Sequence, residues 1–310
     1  MSEKSKTNNQ QKFLISIIGP TAIGKTALAI KIANHFNAEI ISADSRQFYK
    51  EMAIGTAVPT KEELAQAPHH FIQHKSVTES YTVGDFERDA IKKIEELHQK
   101  NDISVMVGGS GLYVKAVCDG LDKFPEVNPQ IREELNKRLE KKGLEILQKQ
   151  LKTLDLKTYN SIALDNRQRV IRALEVCLSS EQPYSSFLTN SKKKRNFKTI
   201  NIGLTAERFI IYDRINQRVD LMIEQGLVEE VKSLVHFKDL NSLKTVGYTE
   251  IFKYLNNEWN LETAISEIKK NTRRFAKRQL TWFRKDESIL WFDYQTDVDL
   301  IFERIKEEII

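Results

Sequence analysis

Gly19, Gly24, Lys25 and Thr26 stand at fixed spacing in the run Gly19-Pro20-Thr21-Ala22-Ile23-Gly24-Lys25-Thr26, a pattern that can hold a chain of phosphates. Glycines let the backbone fold tightly with several N–H groups turned inward, and a helix starting at the loop adds partial positive charge. Lys25 would reach the phosphate oxygens, and the Thr26 hydroxyl would hold Mg²⁺. The flanking elements are legible too. Phe13–Ile18 is an apolar run of strand length, and Ala27, Leu28, Ile30, Ala33 and Phe36 recur at helical spacing after the loop. Strand, loop and helix in that order make a nest for a di- or triphosphate. The loop does not say which molecule carries the phosphates.

Two more expected strands end in residues that could join such a site. Ala38–Ala43 runs into Asp44-Ser45-Arg46-Gln47, and Ile103–Val107 runs into Gly108-Gly109-Ser110-Gly111. In an open α/β sheet, ligands bind outside the carboxyl ends of the strands. The three loops are therefore expected along one edge of a parallel sheet, with the Asp44 carboxylate beside the phosphate loop. On its own an Asp-Ser pair is more often a cap or a turn, and a glycine-rich loop a plain turn. His69, His70 and His74 invite a zinc reading, but no carboxylate or cysteine completes a ligand set. Alternation of His70, Phe71 and Ile72 on a strand favours a structural or substrate-shaping role.

The chain has 310 residues, 40% of them hydrophobic and 29% charged, which suits a globular protein of one large domain or two smaller ones. The net charge of +5 does not by itself imply nucleic acid. Two cysteines without metal-ligand spacing suit a reducing cytoplasm. No apolar run reaches the roughly 18 residues of a membrane span. Residues 1–12 are polar and read as a disordered tail.

Tyr81–Lys100 has helical periodicity. From about Phe124 the texture changes: Pro125 and Pro129 break the chain, and Ile131–Leu151 and Asp165–Leu178 read as charged helices. Residues 122–196 are expected to be a helical insertion domain. The run Lys192-Lys193-Lys194-Arg195 closes it as a solvated loop. Lys198–Leu204 returns to the sheet. Ile211–Glu224 is a helix with Arg214 and Arg218 one turn apart, Leu227–Val235 a second, and Ile289–Tyr294 a final strand. The fold class is thus α/β, a P-loop NTPase-like parallel sheet flanked by helices, with a core of residues 13–121 and 197–310.

The last helical stretch, about Leu261–Lys285, spaces Ile268, Phe275 and Trp282 seven apart, as a core seam would. Lys269, Lys270, Arg273, Arg274, Lys277, Arg278, Arg284 and Lys285 surround the seam, with no acid between Lys269 and Lys285. A helix of one sign repels itself unless a polyanion is present, so this is the expected nucleic-acid face.

GPTAIGKT, ISADSRQFYKEMAIGTAVPT, VGGSGLYVKAV, DNRQRVIRALEV, DRINQRVDLMIEQGLVEEV, TVGYTE and RRFAKRQLTWFRK follow one another along the chain. Together, from about Phe13 to about Phe292, they resemble the bacterial type of the tRNA dimethylallyltransferase (tRNA isopentenyltransferase) family. The resemblance implies that a dimethylallyl group moves from dimethylallyl diphosphate to N6 of the adenine just 3′ of the anticodon, with Mg²⁺ assisting and diphosphate leaving. It implies Asp44 as the base that accepts the amine proton. It also implies an arginine at the leaving group, Arg214 or, one turn on, Arg218. The implied tRNA contacts are Asp44, Ser45, Arg46, Gln47 at the adenine edge, Ser110, where many relatives carry threonine, Arg132, Gln168, Arg169, Val170, Ile171, Arg172, Lys277 and Arg278. Ile23 stands where many relatives have serine. The implied partners are a tRNA anticodon stem-loop and dimethylallyl diphosphate, bound by a cytoplasmic monomer with no membrane. Residue physics alone leaves two rivals. A small-molecule kinase would share the phosphate loop and the sheet without needing the basic helix. An RNA-binding regulator would keep the loop as a vestige.

Overall fold

The computed structural model describes residues 11–189 and 191–310, so the tail expected over residues 1–12 lies almost wholly outside the described residues. Six strands form one all-parallel sheet: β1 (Phe13–Ile18), β2 (Ile40–Ser42), β3 (His69–His70), β4 (Ile103–Val107), β5 (Lys198–Thr205) and β6 (Leu290–Asp293). Their order is β3-β2-β4-β1-β5-β6. The chain makes two compact units, one of Gly120–Lys193 and one of Lys194–Ile310 with the chain up to Asp119. The sheet unit carries α1 (Lys25–His35), α2 (Lys61–Gln66), α3 (Val83–Leu97) and α4 (Gly111–Cys118) before the helical unit. That unit holds α5 (Pro129–Lys142), α6 (Leu144–Leu154), α7 (Leu156–Ser161) and α8 (Arg167–Ser180). After it come α9 (Arg208–Glu224), α10 (Leu227–Ser233), α11 (Tyr248–Leu255), α12 (Leu261–Phe283) and α13 (Val298–Ile309).

The central strands β1 and β4 are mostly apolar on both faces because both faces are covered. Phe13, Ile15 and Ile17 of β1 share one core with Ile40, Val105, Leu28 and Ile32 of α1, and Ile301 of α13. Leu14 and Ile18 share the other with Ile41, Met106, Phe86 and Ile94 of α3, and Val114 of α4. In the helical unit, Leu135, Leu147, Val170, Ile171 and Leu174 make a separate core.

The structure corrects several sequence expectations. Ile131–Leu151 is two helices, broken at Gly143, whose φ of 77° a residue with a side chain rarely adopts. Phe71, at φ 64°, leaves the extended conformation, so His70, Phe71 and Ile72 do not alternate on a strand. Arg195 is no solvated residue: it pairs with Glu87 at 2.8 Å and donates to the carbonyls of Ala116 and Val117. The expected core seam of α12 fails at two of its three residues, since Ile268 is buried but Phe275 and Trp282 are 38% and 39% exposed. A strict seven-residue repeat slips by about 20° per heptad around a straight helix. The stripe actually buried is Ala264, Ile268, Ala276, Gln279 and Phe283. Finally, α12 is not the last helix; α13 packs its Phe302 ring on His35 of α1 at 3.9 Å.

The sheet brings three loops to one edge. Ala43 N–H donates to the Val107 carbonyl at 2.8 Å, and Gly108 N–H to the Ile17 carbonyl at 3.1 Å, so the ladders β2–β4 and β4–β1 run to the ends of their strands. A Cβ on Gly108 would sit 2.5 Å from the Ala43 carbonyl oxygen. That contact is between backbones and cannot swing aside. Gly108→Ala is therefore expected to cost about 1–3 kcal/mol, read as a lower thermal midpoint, with diphosphate binding weakened through displacement of the strand ends. A midpoint equal to wild type would show that the edge is looser than these distances state.

Candidate active site

The phosphate loop connects β1 to α1 through three residues of positive φ: Gly19 at 143°, Ala22 at 65° and Gly24 at 108°. Helix α1 begins with no side-chain cap and no acid in its first turn. By contrast Thr60, Thr82, Asn128, Asp155, Asn166, Asn260 and Asp297 cap other helices. The first N–H groups of a helix have no intrahelical partner, so those of α1 are left for an anion. Ile23 is buried, which agrees with a loop that contacts phosphate through its backbone.

Lys25 is the first residue of α1 and donates from Nζ to the Pro20 carbonyl at 2.7 Å. Burial lowers its ammonium from 10.5 to about 8; Arg218 adds to the shift and Asp44 opposes it. Burial also lowers Arg218, with Arg214 next in effect and Glu63 and Asp44 opposing. The two arginines project from α9 toward the loop. Arg214 Nε donates to the Ala22 carbonyl at 2.8 Å, and its guanidinium lies 5.3 Å from the Tyr294 ring centre. The site thus holds a concentrated positive charge, opposed by Asp44 and, at Arg218, by Glu63. Asp44 follows β2, and its Oδ1 accepts the Arg46 N–H at 3.0 Å, which turns the loop and leaves Oδ2 for another partner.

The Asp44–Gln47 loop is held from three sides. Ser110 Oγ accepts the Ser45 N–H and donates to Ser45 Oγ, each at 3.1 Å. Arg46 donates to the carbonyls of Asn241 and Ser242. Gln47 Nε2 donates to the carbonyls of Thr56 and Ala57, while its Oε1 accepts from Ser42 Oγ. Ser110, Arg46 and Gln47 therefore shape the loop through bonds to the protein itself. The glycines around Ser110 make room for neighbours: side chains at Gly109 and Gly111 would collide with Gln279 and Trp282.

Sequence reasoning missed two residues of this site. Glu230 accepts the N–H groups of Ala53, Ile54 and Gly55 at 2.7–2.9 Å and the Tyr248 hydroxyl at 2.6 Å. It thereby fixes the backbone that leads into Thr56 and Ala57, whose carbonyls hold Gln47. Gln279 bridges the phosphate loop and the glycine loop. Its one sequence signal is that it is a polar residue in register with Ala276 and Phe283 on the buried stripe of α12.

The other expected contact residues divide. Lys277 and Arg278 are exposed on α12 and, among the described residues, unpaired with any carboxylate; Arg278 lies over the Phe275 ring. Lys269 pairs with Asp220 of α9 and Lys270 with Glu267, so the basic helix is partly neutralised by acids that its own sequence beyond Lys269 lacks. On α8, Gln168 and Arg169 are exposed, but Val170 and Ile171 are buried at 0% and 2%, with their side chains in the core of the helical unit. Arg132 and Arg172 both bind Glu175, a carboxylate 2% exposed, each at 2.6 Å, so their first role is to neutralise it. The three histidines go to different partners: His69 to the Ala67 carbonyl, His70 to Glu39, and His74 among Phe48, Phe71 and Tyr81.

A model of the IPP transferase family matches residues 47–286. The chain is 60% identical over 297 residues to a tRNA dimethylallyltransferase of Christiangramia forsetii, covering 96% of this chain and 98% of that one. It is 56% identical over 304 residues to that of Flavobacterium johnsoniae, with 96% and 98% covered. Its fold is similar to the crystal structure of the tRNA isopentenylpyrophosphate transferase of Bacillus halodurans, with a TM-score of 0.72, 39% identity and 97% of each chain covered. It is also similar to a eukaryotic dimethylallyltransferase captured acting on tRNA, with a TM-score of 0.78 and 25% identity over 96% of this chain and 77% of that one.

The lowered Lys25 ammonium gives a signed pH dependence. A bound diphosphate stabilises the charged form, and the free site loses it above about 8. Affinity for an alkyl diphosphate, whose own last proton leaves near pH ~6, should fall as pH rises through that value, by up to about tenfold per pH unit. Calorimetry across this range tests it. Lys25→Arg, which stays charged, should abolish the slope, and a slope that survives in that variant would assign it to another group.

Proposed function

The chain belongs to the tRNA dimethylallyltransferase family, and we propose accordingly that it moves a dimethylallyl group from dimethylallyl diphosphate to N6 of the adenine immediately 3′ of the anticodon. One observation carries the site assignment: the Asp44 carboxylate stands within electrostatic reach of both Lys25 and Arg218, beside the uncapped start of α1. A general base and a cradle for a leaving diphosphate are thereby neighbours.

The chemistry follows from these residues. The adenine N6 attacks the allylic carbon, the carbon–oxygen bond breaks, and diphosphate departs with the bonding electrons. The exocyclic amine is a weak nucleophile, so its proton passes to the free Oδ2 of Asp44 as the new bond forms. Lys25, the N–H groups of the phosphate loop and Arg214 or Arg218 stabilise the charge growing on the leaving group. Thr26 would hold Mg²⁺, which when bound supplies further positive charge at the diphosphate. The fit is supported by the Thr26 hydroxyl, which has no protein partner among the described residues, and by oxygen donors being the ones this cation prefers. The adenine must leave its stack in the anticodon loop to reach Asp44.

Exposed Lys277 and Arg278 on α12 and Gln168 and Arg169 on α8 are the proposed grips on the tRNA backbone, while Ser45, Arg46, Gln47 and Ser110 shape the wall around the adenine. Free Cys118 and Cys177 suit a reducing compartment, and we place the protein in the cytoplasm as a monomer. No helix among the described residues is long and apolar enough to cross a membrane.

Incubation with unmodified tRNA, Mg²⁺ and dimethylallyl diphosphate labelled in the organic group should place label in the RNA; ATP turnover without transfer would point to a kinase instead. Asp44→Ala should lower kcat by about 100-fold or more with tRNA affinity little changed, whereas a collapse of affinity would make Asp44 a binding residue. Replacing Lys277 and Arg278 by Gln should weaken tRNA binding and reduce the slope of log K against log salt by about 0.7–0.9 per charge removed. An unchanged slope would move the RNA face elsewhere.

A further inference from the structure

We propose that Gln279 is a positioning residue for the transfer reaction: its amide fixes the separation of the phosphate loop from the glycine loop, and so aligns the leaving group with the attacking adenine. The inference rests on the function proposed above and concerns a residue that touches neither substrate.

Gln279 is 6% exposed. Its Oε1 accepts the N–H of Thr21 at 2.9 Å, and its Nε2 donates to the carbonyl of Gly109 at 2.9 Å. One amide therefore joins two loops that follow adjacent strands, β1 and β4. Gly109 is a glycine partly on this account, because a Cβ there would collide with Nε2. From the joint, two short chains of bonds lead to the two halves of the chemistry. On one side Thr21 continues through the phosphate loop to Lys25. On the other, Gly109 is followed by Ser110, whose hydroxyl binds Ser45, the neighbour of Asp44. The same side chain belongs to α12, one residue after the exposed Arg278 and two after Lys277. The RNA-facing helix is thus tied to the leaving-group cradle and to the wall that carries the base.

The geometry demands a particular side chain. Thr21 N–H needs an acceptor and Gly109 C=O needs a donor, at the two ends of one planar group. A carboxamide supplies both, and so does a carboxylic acid that keeps its proton; a carboxylate supplies only the acceptor and faces the Gly109 oxygen with negative charge. A buried glutamine that merely satisfied two backbone groups would matter for stability, and its replacement by Glu would shift the thermal midpoint with pH while leaving kcat of the folded enzyme unchanged. An alignment role instead appears in kcat, because small displacements of reacting groups are costly to rate.

The test is steady-state transfer of labelled dimethylallyl to unmodified tRNA by wild type, Gln279→Glu and Gln279→Leu, at several pH values, with thermal midpoints measured alongside. Gln279→Leu should lower kcat by about tenfold to a hundredfold while KM for each substrate stays within about threefold, and its ratio to wild type should not vary with pH. Gln279→Glu should be similarly slow at high pH and recover toward wild type as pH falls, because the buried acid regains the missing donor. The ratio to wild type cancels the titrations of groups common to both enzymes. A Gln279→Glu ratio that is flat with pH in a folded variant overturns the proposal. Should that variant fail to fold, Gln279→Leu decides, and an unaltered kcat or a loss confined to KM overturns it. Absence of transfer by the wild-type protein would instead count against the functional reading, so the two failures are told apart.

Discussion

Half-buried Lys25 and Arg218 stand within electrostatic reach of each other, with Arg214 acting on Arg218 in turn, and this crowding of like charge is what the rest of the site answers. Burial and mutual repulsion both disfavour the charged forms. A diphosphate reverses both effects at once, since it replaces lost hydration and interposes negative charge. The loop of positive-φ residues, the uncapped start of α1 and the two arginines of α9 all converge on that need. Asp44 and, at Arg218, Glu63 oppose this charge, and Asp44 stands just past β2, where the proposed function needs a carboxylate to take the amine proton.

The surrounding bonds do for position what the cations do for charge. Glu230 and Tyr248 hold the 53–55 backbone, the following carbonyls hold Gln47, and Ser110 and Arg46 hold the rest of the Asp44 loop. The site is therefore made by strand ends fixed in the sheet, with loops tied to helices far away in sequence. Such a scaffold keeps the Asp44 loop and the phosphate loop in register. On the function proposed, the loop that in a kinase would hold the transferred phosphoryl group would hold, in this chain, what departs.

Much of this was legible in the sequence, and the limits have a physical cause. The strand, loop and helix around Lys25 are local patterns, and the parallel edge followed from three strands ending in small or polar loops. The 3.6-residue periodicity of α12 was visible, but which stripe it buries was not, because that depends on what packs against it. Phe275 and Trp282 were consequently misplaced. Neutralisation of Lys269 by Asp220, capture of Arg132 and Arg172 by Glu175, and the bridges made by Gln279 and Glu230 join residues that are mostly far apart in sequence. Apart from Arg172 and Glu175, three apart on α8, no pattern within one element announces them. The buried Val170 and Ile171 show the same limit, since a run of residues carried over whole from a motif includes the ones that face inward.

The mechanism depends on the phosphate loop holding a leaving group, so the decisive question is which bond breaks. Dimethylallyl diphosphate carrying oxygen-18 in the bridge between carbon and phosphorus answers it by mass spectrometry of the products. Cleavage of the carbon–oxygen bond sends all of the heavy oxygen into the released diphosphate and none into the modified tRNA. Heavy oxygen retained on the organic product would mean that a phosphorus–oxygen bond had been cut, and would contradict the roles of Lys25, Asp44 and the arginines in expelling diphosphate.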